Sequence, residues 1–181
     1  MHHNERLRDI VAFWFIEENK PFWFLKDKKF DQIIRNKFFP SYEFFLDHDP
    51  LQFCDKPENY LALIILYDQF PRNMFRDDAK AFATDAKALN LAKQAIEQGI
   101  DKKCTEEQRR FIYMPFMHSE VLEDQKQSLE LFKSDTNSYD YAKAHFDIIK
   151  EFKRFPHRNK ILSRPSTESE KQFLTQPNSS F

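Results

Sequence analysis

Glycine is nearly missing from this chain: there is one in 181 residues, at Gly99. Hairpins and tight turns draw on residues that tolerate positive φ, so a sheet-rich fold is disfavoured. The same scarcity removes phosphate-cradling glycine loops, a nucleophile elbow and a dinucleotide-binding fingerprint. Cysteine is also sparse. Cys54 and Cys104 show no CxxC spacing and read as free thiols of a reducing compartment, so the expected location is the cytoplasm. The longest apolar run, residues 61–67, falls far short of a membrane span, which needs roughly 20 residues. The residues at the start of the chain are polar and lack the apolar core of a secretory signal, so none is expected. Nor is one charge in excess, since 28 basic and 29 acidic residues leave a formal net charge of -1. No global field would gather nucleic acid or an anionic membrane, so neither is expected as a partner and any anion site must be local.

What the chain has in abundance is phenylalanine, with 21 residues in a composition that is 16% aromatic and 41% hydrophobic. Together with 31% charged residues, this describes a folded, well-solvated chain, read as a single helical domain over 1–181. Each ring buries a large area, so most of them are read as packing.

Apolar residues recur at helical spacing almost throughout. Leu7, Ile10, Val11 and Trp14 predict a helix over about 5–18. Asp27 is placed to cap a second, with the stripe Phe30, Ile33, Ile34 and Phe38, which Pro40 stops or lets continue briefly to Leu46. Asp55 to Glu58 has the spacing of a capping box with Pro57 in the first turn. The helix it opens, about 60–70, is apolar on all sides and therefore central, and Pro71 should end it. Asp85 is expected to cap a helix whose left-handed end is Gly99. Thr105 with Gln108 predicts the next start and an interruption near Pro115, after which Ser119 opens a helix with Leu122, Gln125, Leu129 and Phe132 in line. Tyr141, His145, Ile148, Ile149 and Phe152 mark another helix, closed by Pro156, and Thr167 with Glu170 begins a last one. The fold class is therefore all-α, with seven or eight helices in antiparallel hairpins.

Three proline-containing segments put polar groups where helices join: 68–76, 115–120 and 154–159. The first, with Ala81 to Asp85, the second, with Asp124 and Gln125, and the third, with His145, Arg164, Ser166 and Thr167, make the sequence similar to a largely bacterial family catalogued as domain of unknown function 924. The similarity runs from Phe13 to Phe181. It implies a tetratricopeptide-like α-α superhelix and no activity. The chain departs from the family pattern at Lys153 and Ser163, where that pattern has glycine, and at Asn178.

Within the segments, Phe70-Pro71-Arg72-Asn73 is echoed by Phe155-Pro156-His157-Arg158-Asn159. Guanidinium forks suit carboxylates and phosphates, so Arg72, Asn73, Arg76, Arg158 and Asn159, with His118, are candidate ligands for an anionic small molecule or an acidic peptide end. The competing reading makes them helix-joint hardware, in which arginines offset helix C-termini and pair with Asp68, Asp85 or Glu120. A third reading is enzymatic, with His118 or His157 and Glu120 or Asp124 as an acid-base pair on an arginine-held substrate. His145 lies on the apolar stripe of its own helix and reads as a core histidine. No HxxxH, HExxH or ExxH spacing is present, so no metal and no cofactor is expected.

Overall fold

A computed structural model describes residues 3–177, 179 and 180 of the chain. Among the described residues every regular element is helical and there is no strand. The α-helices are α1 (His3–Trp14), α2 (Lys28–Leu46), α3 (Pro57–Ile64), α4 (Phe70–Met74), α5 (Asp85–Glu97), α6 (Glu106–Met117), α7 (Leu122–Phe132), α8 (Thr136–Phe152) and α9 (Glu168–Leu174). A π-helical turn, Ile65–Gln69, joins α3 and α4 into one continuous rod. None of these helices is long and apolar enough to cross a membrane.

The chain divides into two compact units, the first holding residues up to Arg76 together with Lys80–Pro115, the second Asp77–Ala79 and the residues from Phe116 onward. The division falls inside α6, at the Pro115 expected to interrupt it, although the helix itself runs on to Met117.

In the first unit α1 and α5 both pack on α3, and α2 packs on α4. That explains the run of apolar residues: everything from Tyr60 to Leu66 is buried because neighbours cover it on several sides. α1 ends four residues before the expected stop, at Trp14. Its last carbonyls are taken by side chains, Asn19 Nδ2 donating to Phe13 O at 2.7 Å and Trp23 Nε1 to Trp14 O at 2.9 Å. α2 is capped by Asp27 as expected and runs straight through Pro40, because Phe38, Tyr42 and Phe45 on its buried face outweigh one lost backbone bond. Ile33, assigned to the stripe, is exposed. At α3 the N-cap is Lys56, not Asp55, whose carboxylate accepts from Asn59 Nδ2 instead. α5 ends as expected. Gly99 has φ +67°, with Gly99 N–H on Ile96 O and Ile100 N–H on Ala95 O, the paired bonds of a Schellman close.

In the second unit α7 and α8 form an antiparallel hairpin and pack along each other. Asp135 caps α8 through the Ser138 N–H, a start signal the stripe reading passed over. Ile148, Ile149 and Phe155 are the core, with Leu122, Phe152 and Phe173 against them, whereas Tyr141 is exposed. α8 stops at Lys153, before Pro156, by turning left-handed at φ 61°. α9 opens with both halves of the Thr167–Glu170 capping box. Asn178 and Phe181 lie outside the described residues.

Candidate functional site

Pro71 shapes the first polar segment. It has no N–H, so nothing from its own backbone can bond the Tyr67 carbonyl four residues back. The rod does not stop there, as proline would suggest, but widens into the π turn, and Thr84 Oγ1 donates to Tyr67 O at 2.6 Å. This brings the start of α5 against the segment. Arg72 then pairs with Asp85, Nη2 donating to Oδ2 at 2.9 Å while Nη1 stands 2.8 Å from Oδ1 as an ion-pair contact. It also donates to the Ala81 carbonyl, and its guanidinium lies 4.6 Å over the Phe82 ring. Asp85 therefore pairs with Arg72 and does not cap α5. Asn73 Nδ2 donates to Asp31 Oδ1 at 2.8 Å, and Arg76 grips the same carboxylate through Nε at 2.7 Å and Nη2 at 2.5 Å. Arg72, Asn73 and Arg76 thus spend donors on carboxylates and a carbonyl of their own unit, the pairing that the helix-joint reading requires.

The second unit holds the other candidates. Glu120 accepts from Arg164 Nη1 at 2.7 Å, from Arg164 Nη2 at 2.9 Å and from the Phe155 backbone N–H at 2.7 Å. Burial pushes its carboxyl up, but the Arg164 guanidinium, the Phe155 N–H and the charge of Arg158 together hold it below the ordinary value. Asn159 is buried and ties the same loop, its Oδ1 accepting from Arg164 Nε and its Nδ2 donating to Ser166 Oγ. Asp124 accepts from Ser119 Oγ at 2.7 Å, and that hydroxyl in turn accepts the Val121 N–H near the start of α7. Beside it Gln125 directs Nε2 at the carbonyls of Phe116, Met117 and Ser119, closing the end of α6 within this unit.

Three nitrogen side chains, His145, His157 and Arg158, lie around Phe155. His145, on α8, is buried, with Nδ1 2.8 Å from the Tyr141 carbonyl. A carbonyl only accepts, so the ring proton sits on Nδ1 and Nε2 is the bare nitrogen. The His145 ring meets Phe155 edge-on at 5.5 Å and has His118 at 6.2 Å. His157 also lies 5.5 Å from Phe155, and the Arg158 guanidinium stands 4.5 Å over that ring. Burial, the neighbouring His118, Arg158 and His157 depress His145 to about 3, against the opposing pull of the Tyr141 carbonyl. Among the described residues no three His, Cys, Asp or Glu side chains are grouped to hold a metal ion. Neither thiol is poised as a nucleophile, since burial pushes Cys54 up to about 12 and raises Cys104 as well.

The family described as bacterial protein of unknown function (DUF924) matches residues 10–178, nearly the whole chain. The chain belongs to the DUF924 family. The solved structure of a protein of unknown function from Agrobacterium tumefaciens is 36% identical with a TM-score of 0.91, over 96% of this chain and 98% of that one. Comparison with curated proteins finds no match. At the two positions where this DUF924 chain lacks the expected glycine, Lys153 and Ser163 take up left-handed backbone at φ 61° and 53°.

The Arg-Asn echo in this DUF924 protein falls into different units, Arg72 and Asn73 in the first, Arg158 and Asn159 in the second. Within the second unit the chain brings His157 and Arg158 to the Phe155 ring and His118 to His145, which itself meets that ring. It also gives Glu120 to Arg164 and Asp124 to Ser119. Sequence reasoning missed three participants. Phe155 looked like one more packing ring, and Gln125 looked like part of a stripe. Asp31, which receives Asn73 and Arg76 from 42 and 45 residues away, left no local signal.

Proposed function

We propose that this protein is a binding module for a small anionic ligand or an acidic peptide end, with His118, His157 and Arg158 of the second unit as its donors. The observation that carries the reading is the gathering of His145, His157 and Arg158 around Phe155, with His118 against His145. A ring face, a guanidinium fork and imidazoles suit a planar carboxylate or a phosphate. The first-unit residues Arg72, Asn73 and Arg76 play no part in this reading, because their carboxylate partners already use them. An acid-base enzyme is less well supported. Glu120 is clamped by a guanidinium and a backbone N–H, which makes it a poor proton acceptor, and Asp124 is held by Ser119. We take the helices as tetratricopeptide-like hairpins and the setting as a bacterial cytoplasm, where two free thiols would persist.

The test is thermal unfolding across a panel of inorganic phosphate, citrate, succinate and a short acidic peptide. At least one should raise the melting temperature, as expected when a ligand binds only the native state. Arg158→Lys, which keeps the charge but loses the fork, should weaken the shift, and His118→Ala should do so as well. Arg72→Ala should lower stability and leave the ligand shift in place. If no anion moves the parent protein while Arg158→Lys costs stability alone, the segment is joint structure and the binding reading fails.

A further inference from the structure

The connection between α1 and α2 exposes large apolar side chains that the fold could have buried. Phe24 is 66% exposed, Leu25 56% and Ile16 44%. They do not belong to a loose loop. A 3-10 turn, Lys20–Phe22, leads in, and Leu25 N–H bonds back to Phe22 O at 3.2 Å. Trp23 is anchored below by its Nε1 bond to Trp14 O and by its ring against Phe111 at 4.8 Å, while Phe24 itself stacks on Phe111 at 6.4 Å. Asp27 then caps α2, fixing the far side. The tip is thus held in shape with Phe24 and Leu25 pointing outward. A rigid apolar tip loses little conformational freedom on docking.

Charge flanks the tip on one side. Lys26, Lys28 and Lys29 are all exposed within five residues of Phe24. Lys20 differs, because Glu17 and Glu107 hold it at 2.7 and 2.9 Å. The nearby carboxylates are largely occupied: Glu17 with Lys20, Asp27 with the Phe30 N–H, and Asp31 with Asn73 and Arg76, while Glu18 is an exposed acid. The near-cancelling net charge of the chain excludes a global field but not this local one.

We propose that this tip is a docking surface for an anionic lipid membrane, with Phe24 and Leu25 entering the interface and Lys26, Lys28 and Lys29 resting on acidic headgroups. Aromatic and aliphatic side chains rimmed by lysines match the two layers of such an interface, apolar below and negatively charged above. A protein partner would bury the apolar tip but has no general need for three lysines within four residues. This docking is independent of the anion site of the second unit.

Co-sedimentation of the full chain with vesicles of phosphatidylcholine alone, or mixed with phosphatidylglycerol, tests the proposal. Binding should require phosphatidylglycerol and weaken as salt rises. Each lysine at an anionic surface is worth roughly a fivefold change in partitioning, so Lys26→Gln/Lys28→Gln/Lys29→Gln together should weaken binding about a hundredfold. Phe24→Ser/Leu25→Ser should abolish binding with the melting temperature preserved. Should either variant fail to fold, quenching of Trp23 emission by brominated lipid in the unaltered chain gives the same answer, with quenching expected. Equal binding to neutral and anionic vesicles, no binding, or no quenching would overturn the proposal. So would a concentration-dependent dimer that Phe24→Ser/Leu25→Ser removes, since the patch would then belong to a second copy of the chain.

Discussion

Thr84→Val isolates the interaction that lets the central rod pass Pro71. The two side chains have nearly the same shape, so the change removes a hydroxyl and little packing. Thr84 is 1% exposed, and its Oγ1 donates to the Tyr67 carbonyl at 2.6 Å while also meeting the Tyr42 hydroxyl. Withdrawing a donor from a buried carbonyl costs about 1–3 kcal/mol, and the upper half of that range is expected because Tyr42 loses a partner too. For a chain of this length the melting temperature moves by roughly 2–4 °C per kcal/mol, so a drop of about 4–12 °C should be seen by calorimetry. Urea titration should show a lower midpoint at unchanged slope. The causal link to proline has its own control. Pro71→Ala restores a backbone N–H four residues after Tyr67, so on that background Thr84→Val should cost about 1 kcal/mol less. A cost below about 0.5 kcal/mol in the parent would refute the reasoning. So would an undiminished cost beside Ala at 71, since the hydroxyl would not then be standing in for the missing N–H.

Three further outcomes are expected. Lys153→Gly and Ser163→Gly should each stabilise the protein by about 0.5–1 kcal/mol in chemical denaturation, because both residues hold left-handed backbone that a Cβ disfavours. Gly99→Ala should cost about 1 kcal/mol from backbone conformation alone, since an added Cβ there meets nothing within 4 Å; equal stability of all three variants to the parent would contradict both expectations. His145 has its folded-state pKa lowered from 6.5 to about 3, so between those values the unfolded chain binds a proton that the native one does not. Its contribution to stability is complete above the unfolded value and is lost as pH falls through that window, and an imidazole resonance of His145 titrating near 6.5 would show the burial argument to be mistaken.

Much of the architecture was legible in one dimension. The single glycine and the 3.6-residue stripes point to an all-helical chain. The Thr105–Gln108 and Thr167–Glu170 boxes and the Gly99 close are local devices, complete within six residues, so the sequence alone locates them. The apolar run at 61–67 announces a rod covered on several sides. Proline misled at Pro71, and at Pro40 left open a stop or the continuation to Leu46 that the helix takes, because its local penalty, about 3 kcal/mol in a helix interior, can be offset by burial of the flanking rings and by a donor from elsewhere, and neither is visible in a sequence window. The candidate site was less legible for the same reason. Arg72 and Arg158 stand in matching motifs, yet one is paired with Asp85 and the other lies over Phe155. Their difference depends on which side chains the fold carries to them: Asp85 from the start of α5 for one, Phe155 for the other. A motif specifies the donor, but only tertiary structure supplies the acceptor, because a hydrogen bond acts over about 3 Å of space whatever the separation along the chain.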